Sequence, residues 1–493
     1  MATGYHDWDG QTPRSAALGD HDVPLDSPHL QGRRIALVVT GGIAALRTPD
    51  LARALRRRGA EVTAFCTADA LPFVGQQALE WATCRPVITS LGWRAEHLSD
   101  GEGFDAWLVA PATANTLAKL ACGIADTPVS AALLSALGRM ERGQTQLLLA
   151  PTMHGSLHTS ILSAHARQLA ELGVHLIAPR DAYGKHNLPD AAVLVACVCR
   201  ALASGPLRSR RVLVTGGPTP VPIDAVRRLV NRFSGRLASA IAAELLLRGA
   251  DPELLLGEGS APPPPWLPHE WLPSYDSYQQ RVLAAVADGV VADGAVTDCA
   301  AAAGDSLTTV AQGSPGQGSG AAASGPEGGL SAADTTAGPS PERPGTEAAR
   351  GAAAGGARLP LSAAILSAAV ADYRPRQVHP GKLASGQAHL SLDLEPTAKV
   401  IDLLRQAAPT LPMVTFKVLQ GASEQELLAE ARRRLERFQL VVANHAEEVS
   451  GLEQCAWLVS SAGVSRHQGK AAIATAIVDW LEAHLAPPGS GRS

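Results

Sequence analysis

Ile35-Ala36-Leu37-Val38-Val39-Thr40-Gly41-Gly42 and Val212-Leu213-Val214-Thr215-Gly216-Gly217-Pro218-Thr219 have one form. Each is an apolar run, of five and three residues, that does not alternate and enters a Thr-Gly-Gly turn. A run without alternation is a strand buried on both faces, as in a parallel sheet covered by helices. Paired glycines after it allow a tight turn and close backbone approach. Working outward from the first run, apolar segments at 62–66, 106–110, 146–150 and 174–178 alternate with helix-like stretches at 49–58, 113–122 and 161–172. Around the second run, strands are expected at 253–256, 363–369, 412–416, 440–443 and 456–459. Helices are expected at 234–248, 275–287, 423–438 and 469–485. This is an α/β chain of two doubly wound, Rossmann-like domains with mainly parallel sheets. The first spans 33–203 and the second 211–486, with a short basic linker at 204–210.

Composition bounds the rest. The chain has 493 residues, ample for more than one core, and a formal net charge of −4. No basic excess or polybasic block points to nucleic acid or a membrane surface. The seven cysteines are scattered, without paired metal spacing or a disulfide framework. No apolar run approaches membrane-span length, and the start has no apolar leader, so a cytoplasmic enzyme is expected. Residues 1–32 and 487–493 read as polar tails. Of the 56 residues at 303–358, 43 are Ala, Gly, Ser, Pro or Thr, so this stretch reads as a disordered insertion in the second domain.

Candidate sites follow the strand ends. Gly41, Gly42, Ile43 and Ala44 form a turn opening a helix, which suits a phosphate. The departure from GxGxxG disfavours a nicotinamide dinucleotide. After the run at 106–110 comes Pro111-Ala112-Thr113-Ala114-Asn115-Thr116, then Lys119-Leu120-Ala121-Cys122-Gly123-Ile124-Ala125-Asp126. Together these motifs resemble the flavin-containing cysteine decarboxylases. The resemblance implies FMN, held by the Gly41–Ala44 turn, Thr67, Thr113, Ala114, Asn115 and Met153. It implies that His97, before the strand, handles acid–base chemistry. It also implies that the flavin oxidises the substrate thiol so that the neighbouring carboxylate leaves as CO2. The chain departs from that family twice: His154 stands where the family has a carboxylate-binding Asn, and Tyr183 where it has a clamp cysteine.

In the second domain, Gly216, Gly217, Pro218 and Thr219 are followed by Asp224, Arg227, Asn231, Ser234 and Gly235 at close intervals. Ser234 is expected to cap the next helix, whose free N–H groups suit a phosphate. Ala368-Ala369-Val370-Ala371-Asp372-Tyr373, Lys382, Phe416-Lys417 and Val441-Val442-Ala443-Asn444 complete an ordered set. The set resembles the phosphopantothenate–cysteine ligases. It implies substrate contacts at Gly216 to Thr219, Arg227, Ser234, Asp372, Phe416, Lys417 and Asn444, with Asn231 and Lys382 catalytic. An acyl-nucleotide would form from CTP with Mg2+ bridging phosphate oxygens, and cysteine would displace the nucleotide.

The whole chain is similar to the bifunctional coenzyme A biosynthesis enzymes, which join 4'-phosphopantothenate to cysteine and then decarboxylate the product. That resemblance implies small-molecule substrates and a homo-oligomer, with no nucleic acid and no membrane. The two departures leave a ligase with an FMN-binding but impaired first domain as one alternative, and a non-enzymatic flavoprotein regulator as another.

Overall fold

The computed structural model describes residues 18–92, 103–287, 359–384, 386, 389–450 and 453–486. The expected insertion at 303–358, the tail at 487–493 and His97 lie outside the described residues.

The first domain is built on a five-stranded parallel sheet. Its order is Glu61–Cys66, Arg34–Val39, Ala106–Ala112, Gln146–Pro151, His175–Leu176. Both faces are covered, as unalternating apolar runs require. Ile35, Leu37 and Val39 face a core with helices Thr48–Arg56, Gln76–Thr83 and Ala191–Leu202. Ala36, Val38 and Val109 face a second core with helices Ala114–Ala121, Pro128–Glu141 and Ser160–Glu171. Phe65, Phe104 and Trp107 cluster there, ring centroids 4.9 to 5.7 Å apart. The close pair Cys197 and Cys199 lies on helix Ala191–Leu202, with Cys199 buried in the first core.

The second domain is built on a larger mixed sheet. Its parallel part runs His269–Leu272, Asp251–Gly257, Arg211–Gly216, Leu361–Leu366, Met413–Leu419, Leu440–His445. Glu453–Ser460 then joins antiparallel, and Gly463–Gln468 pairs antiparallel with it. An antiparallel edge on an otherwise parallel sheet needs only a short connection, and residues 461–462 turn the chain between those two strands.

Three expectations are corrected. The segment up to 32 is not wholly a tail, because Leu30 is fully buried in the first core. Its N–H donates to the Arg58 carbonyl at 2.8 Å. His29, nearby, pairs with Glu244 of the second domain at 3.3 Å. The linker at 204–210 does not lie wholly outside the second domain, because Leu207 is fully buried in that domain's core. The strand expected at 363–369 ends at Leu366, since the chain must leave the sheet to cross the Gly217 turn.

Leu30→Ala is expected to lower stability by about 3 kcal/mol, as for other fully buried leucines. A fall in the urea midpoint with unchanged slope checks this; a shift under about 0.5 kcal/mol would restore the tail reading.

Candidate functional sites at the carboxyl ends of two sheets

In the first domain, the carboxyl ends of four neighbouring strands converge. Gly41 sits so close to Asp69 that a Cβ would lie 2.6 Å from the Asp69 Cβ, so only glycine fits. The turn leads into a short 3-10 helix, Ile43–Arg47, before the α-helix begins; Ile43 is exposed and Ala44 half-buried. Thr40, buried under the turn, donates to the Pro111 carbonyl at 2.7 Å and accepts from the Thr113 N–H at 3.3 Å. Thr113 then caps helix Ala114–Ala121 by accepting from the Thr116 N–H. Asn115 stands exposed on the first turn of that helix. Thr67 directly follows the neighbouring strand Glu61–Cys66, and its Oγ1 is buried without a hydrogen-bond partner. A buried hydroxyl left unsatisfied is costly, and it is one place where a ligand atom fits. Cys66, beside it, is no nucleophile, because burial pushes its thiol up to about 11.

Met153–His154 is a two-residue strand just past Gln146–Pro151. It pairs with Lys185–Asn187, which forms a hairpin with Arg180–Ala182. Tyr183 occupies the hairpin tip, 95% exposed and at φ 54°. The structure thus brings His154 and Tyr183 to one small sheet. The Ser156 N–H donates to His154 Nδ1 at 3.2 Å, so the imidazole proton resides on Nε2 when the ring is neutral. That leaves one donor where the resemblance calls for an amide.

In the second domain, Gly217 is at φ 74°, and any Cβ there would overlap the Ser260 hydroxyl. Across the turn, Ala369 N–H donates to the Gly217 carbonyl at 2.8 Å, and Ala371 N–H to Thr219 Oγ1 at 2.8 Å. The Asn231 amide donates to the Ala369 and Val370 carbonyls at 3.0 and 3.2 Å. Beside this seam lies a cavity of about 300 Å³. Gly217, Ser234, Phe416 and Asn444 line it together with Arg232, Arg236, Gln454 and Lys470. Asn444 is 2% exposed, and its Nδ2 is buried without a partner. Burial and the charge of Arg236 push Lys470 down, which an anion between them would relieve.

Several candidates lie elsewhere. Lys417 faces away from the cavity, 3.8 Å from Glu430, because successive strand residues point to opposite faces. Ser234 does not cap the following helix; Gly235, at φ 68°, takes that position. Asp372 is exposed and pairs with Lys399 at 2.5 Å. Lys382 is exposed on a strap outside the cavity.

The strap's root is Asp224. Its buried carboxylate accepts from the N–H groups of Val226 at 2.8 Å, Arg227 at 2.6 Å and Leu383 at 3.0 Å. It also accepts from the Arg227 guanidinium at 2.9 Å. Desolvation pushes the Asp224 carboxyl up, but these donors together outweigh it and hold it at about 2. Arg227 thus braces the anchor through its Nη1, which also reaches the Leu383 carbonyl at 3.4 Å. Sequence reasoning missed Arg232, Arg236, Gln454 and Lys470; Arg236 and Lys470, each directly after a glycine at a helix start, carried a positional signal.

The two halves define a flavoprotein-type domain followed by a second Rossmann-like domain of pantothenate metabolism type. A family described as flavoprotein matches residues 25–203, and one described as DNA/pantothenate metabolism flavoprotein C-terminal domain matches 207–306 and 352–485. The coenzyme A biosynthesis bifunctional protein CoaBC of Thermococcus kodakarensis is 33% identical over 431 residues, 85% of this chain and 86% of that protein. Its counterpart in Escherichia coli K12 is 32% identical over 251 residues, 48% of this chain and 60% of that protein. A crystal structure of the C-terminal domain of a CoaBC protein covers 57% of this chain and 98% of its own, at 19% identity and a TM-score of 0.36. The chain belongs to the family of coenzyme A biosynthesis bifunctional proteins.

Because Asp224 is lowered in the folded state, its contribution to stability is present above the ordinary carboxylate value of about 4. It is lost as pH falls toward about 2. The Leu383 amide resonance should hold its position from neutral pH to about 4 and move below it. Asp224→Asn should abolish that titration; movement near pH 6 in the parent would refute the anchor.

Proposed function

We propose that this chain performs two consecutive steps of coenzyme A biosynthesis. The second domain joins 4'-phosphopantothenate to cysteine at the expense of CTP, and the first decarboxylates the phosphopantothenoylcysteine to 4'-phosphopantetheine. The observation that carries the reading is the second-domain cavity, where a partnerless buried Asn444 amide shares a wall with Phe416 and three cations. An aromatic face, a polar edge and clustered positive charge suit a nucleotide and its phosphates.

A carboxylate is a poor acyl donor, so it must first become an acyl phosphate ester. Arg232, Arg236 and Lys470 would receive negatively charged oxygens, with Mg2+ carried on the nucleotide itself. Among the described residues no cluster of three His, Cys, Asp or Glu side chains could hold a metal. Lys382, exposed on a strap rooted at Asp224, would approach the reacting phosphate from outside the cavity and neutralise developing charge. Asn231 would fix the 369–371 segment that closes one side of the site.

In the first domain, the partnerless Thr67 hydroxyl and the glycine-only space at Gly41 fit a bound FMN. FMN would supply the oxidation that turns the substrate thiol into an electron sink beside the carboxylate. Thr67 and Thr113 would hold the cofactor, and His154 would donate Nε2–H to the substrate carboxylate. Self-association and a cytoplasmic setting belong to the same reading; among the described residues no helix is long and apolar enough to cross a membrane.

Purified protein given 4'-phosphopantothenate, cysteine, Mg2+ and CTP should yield 4'-phosphopantetheine by mass spectrometry, and less with ATP. Accumulated phosphopantothenoylcysteine would favour the ligase with an impaired first domain, and no product would sink the proposal. Lys382→Ala should reduce ligation about a hundredfold while supplied phosphopantothenoylcysteine is still decarboxylated at the parent rate.

A further inference from the structure

Four side chains beside the first-domain site form one unbroken hydrogen-bonded chain. The Ser163 hydroxyl lies 3.0 Å from His158 Nε2, His158 Nδ1 lies 2.6 Å from His186 Nε2, and His186 Nδ1 lies 2.6 Å from Asp181 Oδ1. The two imidazole centroids are 4.8 Å apart and tilted by 58°. An ionised carboxylate only accepts, so His186 donates Nδ1–H to Asp181. His186 Nε2 then accepts, His158 donates Nδ1–H, and His158 Nε2 is left to accept from Ser163. The Ser163 hydroxyl is shared with the Thr159 carbonyl at 3.2 Å. Every ring nitrogen has a partner with both imidazoles neutral.

The chain crosses two elements that little else joins. His186 and Asp181 belong to the hairpin whose tip is Tyr183. His158 and Ser163 belong to the segment from the 3-10 turn Gly155–Leu157 into helix Ser160–Glu171. Backbone contact between them is the two-residue pairing of Met153–His154 with Lys185 and His186, plus the Gly155 N–H to the Gly184 carbonyl at 2.9 Å. A three-stranded sheet with strands of only two and three residues has few ladder bonds to hold it, so side-chain bonds add to what fixes its angle. His186 also stands opposite both Asp181 and Met153 in the strand register, in line with a residue expected to contact the flavin.

We propose that His186 and His158 are positioning residues for the decarboxylase half. They pin the Tyr183 hairpin against the His154 segment and so fix the two side chains that replace the usual amide and thiol. The inference rests on the reading of the first domain as a decarboxylase. The pin itself is a statement about backbone motion and is tested separately.

The first measurement is hydrogen–deuterium exchange on the full chain with its cofactor. His186→Ala and His158→Ala should each raise exchange at residues 180–187 about five- to tenfold, the size of one lost hydrogen bond. The helix at 236–247 should stay unchanged. His186→Gln and His158→Gln, whose amides can donate and accept in turn, should restore most of the protection. The double alanine variant should lose less than the sum of the two singles, because the bond between His158 and His186 is removed by either. Unchanged exchange in the alanine variants, or additive losses, would overturn the pin.

The second measurement is decarboxylation of supplied phosphopantothenoylcysteine. The alanine variants should raise KM about tenfold while flavin absorbance and ligation stay at parent levels, and the glutamine variants should recover KM. A parent protein that exchanges as expected but releases no CO2 would refute the decarboxylase reading and leave the pin standing. Alanine variants with loosened hairpins and an unchanged KM would overturn the positioning role.

Discussion

A parallel sheet covered on both faces offers solvent only its edges and its strand ends, and both candidate sites here lie at carboxyl ends. That placement has a steric cost that only particular residues meet. Where the chain turns back from a strand end over its neighbour, backbones approach within a few ångströms. Gly41 meets the Asp69 backbone 3.2 Å from where its Cβ would stand, and a Cβ on Gly217 or Gly257 would run into Ser260 or the Pro218 carbonyl. The glycines therefore set how close the turns come to a ligand. The polar groups left beside them, Thr67 Oγ1 and Asn444 Nδ2, keep hydrogen-bonding capacity that the protein does not consume.

The second domain separates a pocket held by the sheet from an exposed strap. Phe416 and Asn444 sit on strands of the central sheet, where packing holds them. Lys382 cannot sit there, because burying an unpaired ammonium is expensive. It is carried instead on an exposed strap whose base is pinned by a buried carboxylate. Asp224 stays ionised because its donors reach it from both sides of the gap, from 226–227 and from Leu383. Removing water from a carboxylate is tolerable when N–H groups replace it.

Much of this was legible in sequence because burial on both faces imposes an unmistakable pattern. The runs at 35–39 and 212–215 declared the two sheets, and the Thr-Gly-Gly turns declared where to look. Helices with one apolar face lie near their expected positions: the helix expected from Tyr275 begins there, and Ser423 caps Glu424–Arg434 in reciprocal bonds with Glu426. What failed was long-range. Nothing local distinguishes Leu30 or Leu207, each in a polar stretch, from an exposed leucine; their burial depends on a distant core. Likewise Arg232, Arg236, Gln454 and Lys470 become a group only when helix starts and a strand far apart in sequence meet around one cavity. Asp224 and Arg227 were visible as a polar constellation, but their partner Leu383 lies 156 residues past Arg227.

The two sites thus solve one problem differently. Each holds an exposed segment, the strap with Lys382 or the hairpin with Tyr183, beside a sheet-borne base. The second domain anchors its strap through charge, and four donors around Asp224 make that root insensitive to the loss of any single neutral bond. The first domain anchors its hairpin through a run of side-chain hydrogen bonds from Ser163 through His158 and His186 to Asp181, in which each ring nitrogen has one partner. A ligase handling polyphosphate already works in a field of strong charges, so an ionic root adds little perturbation.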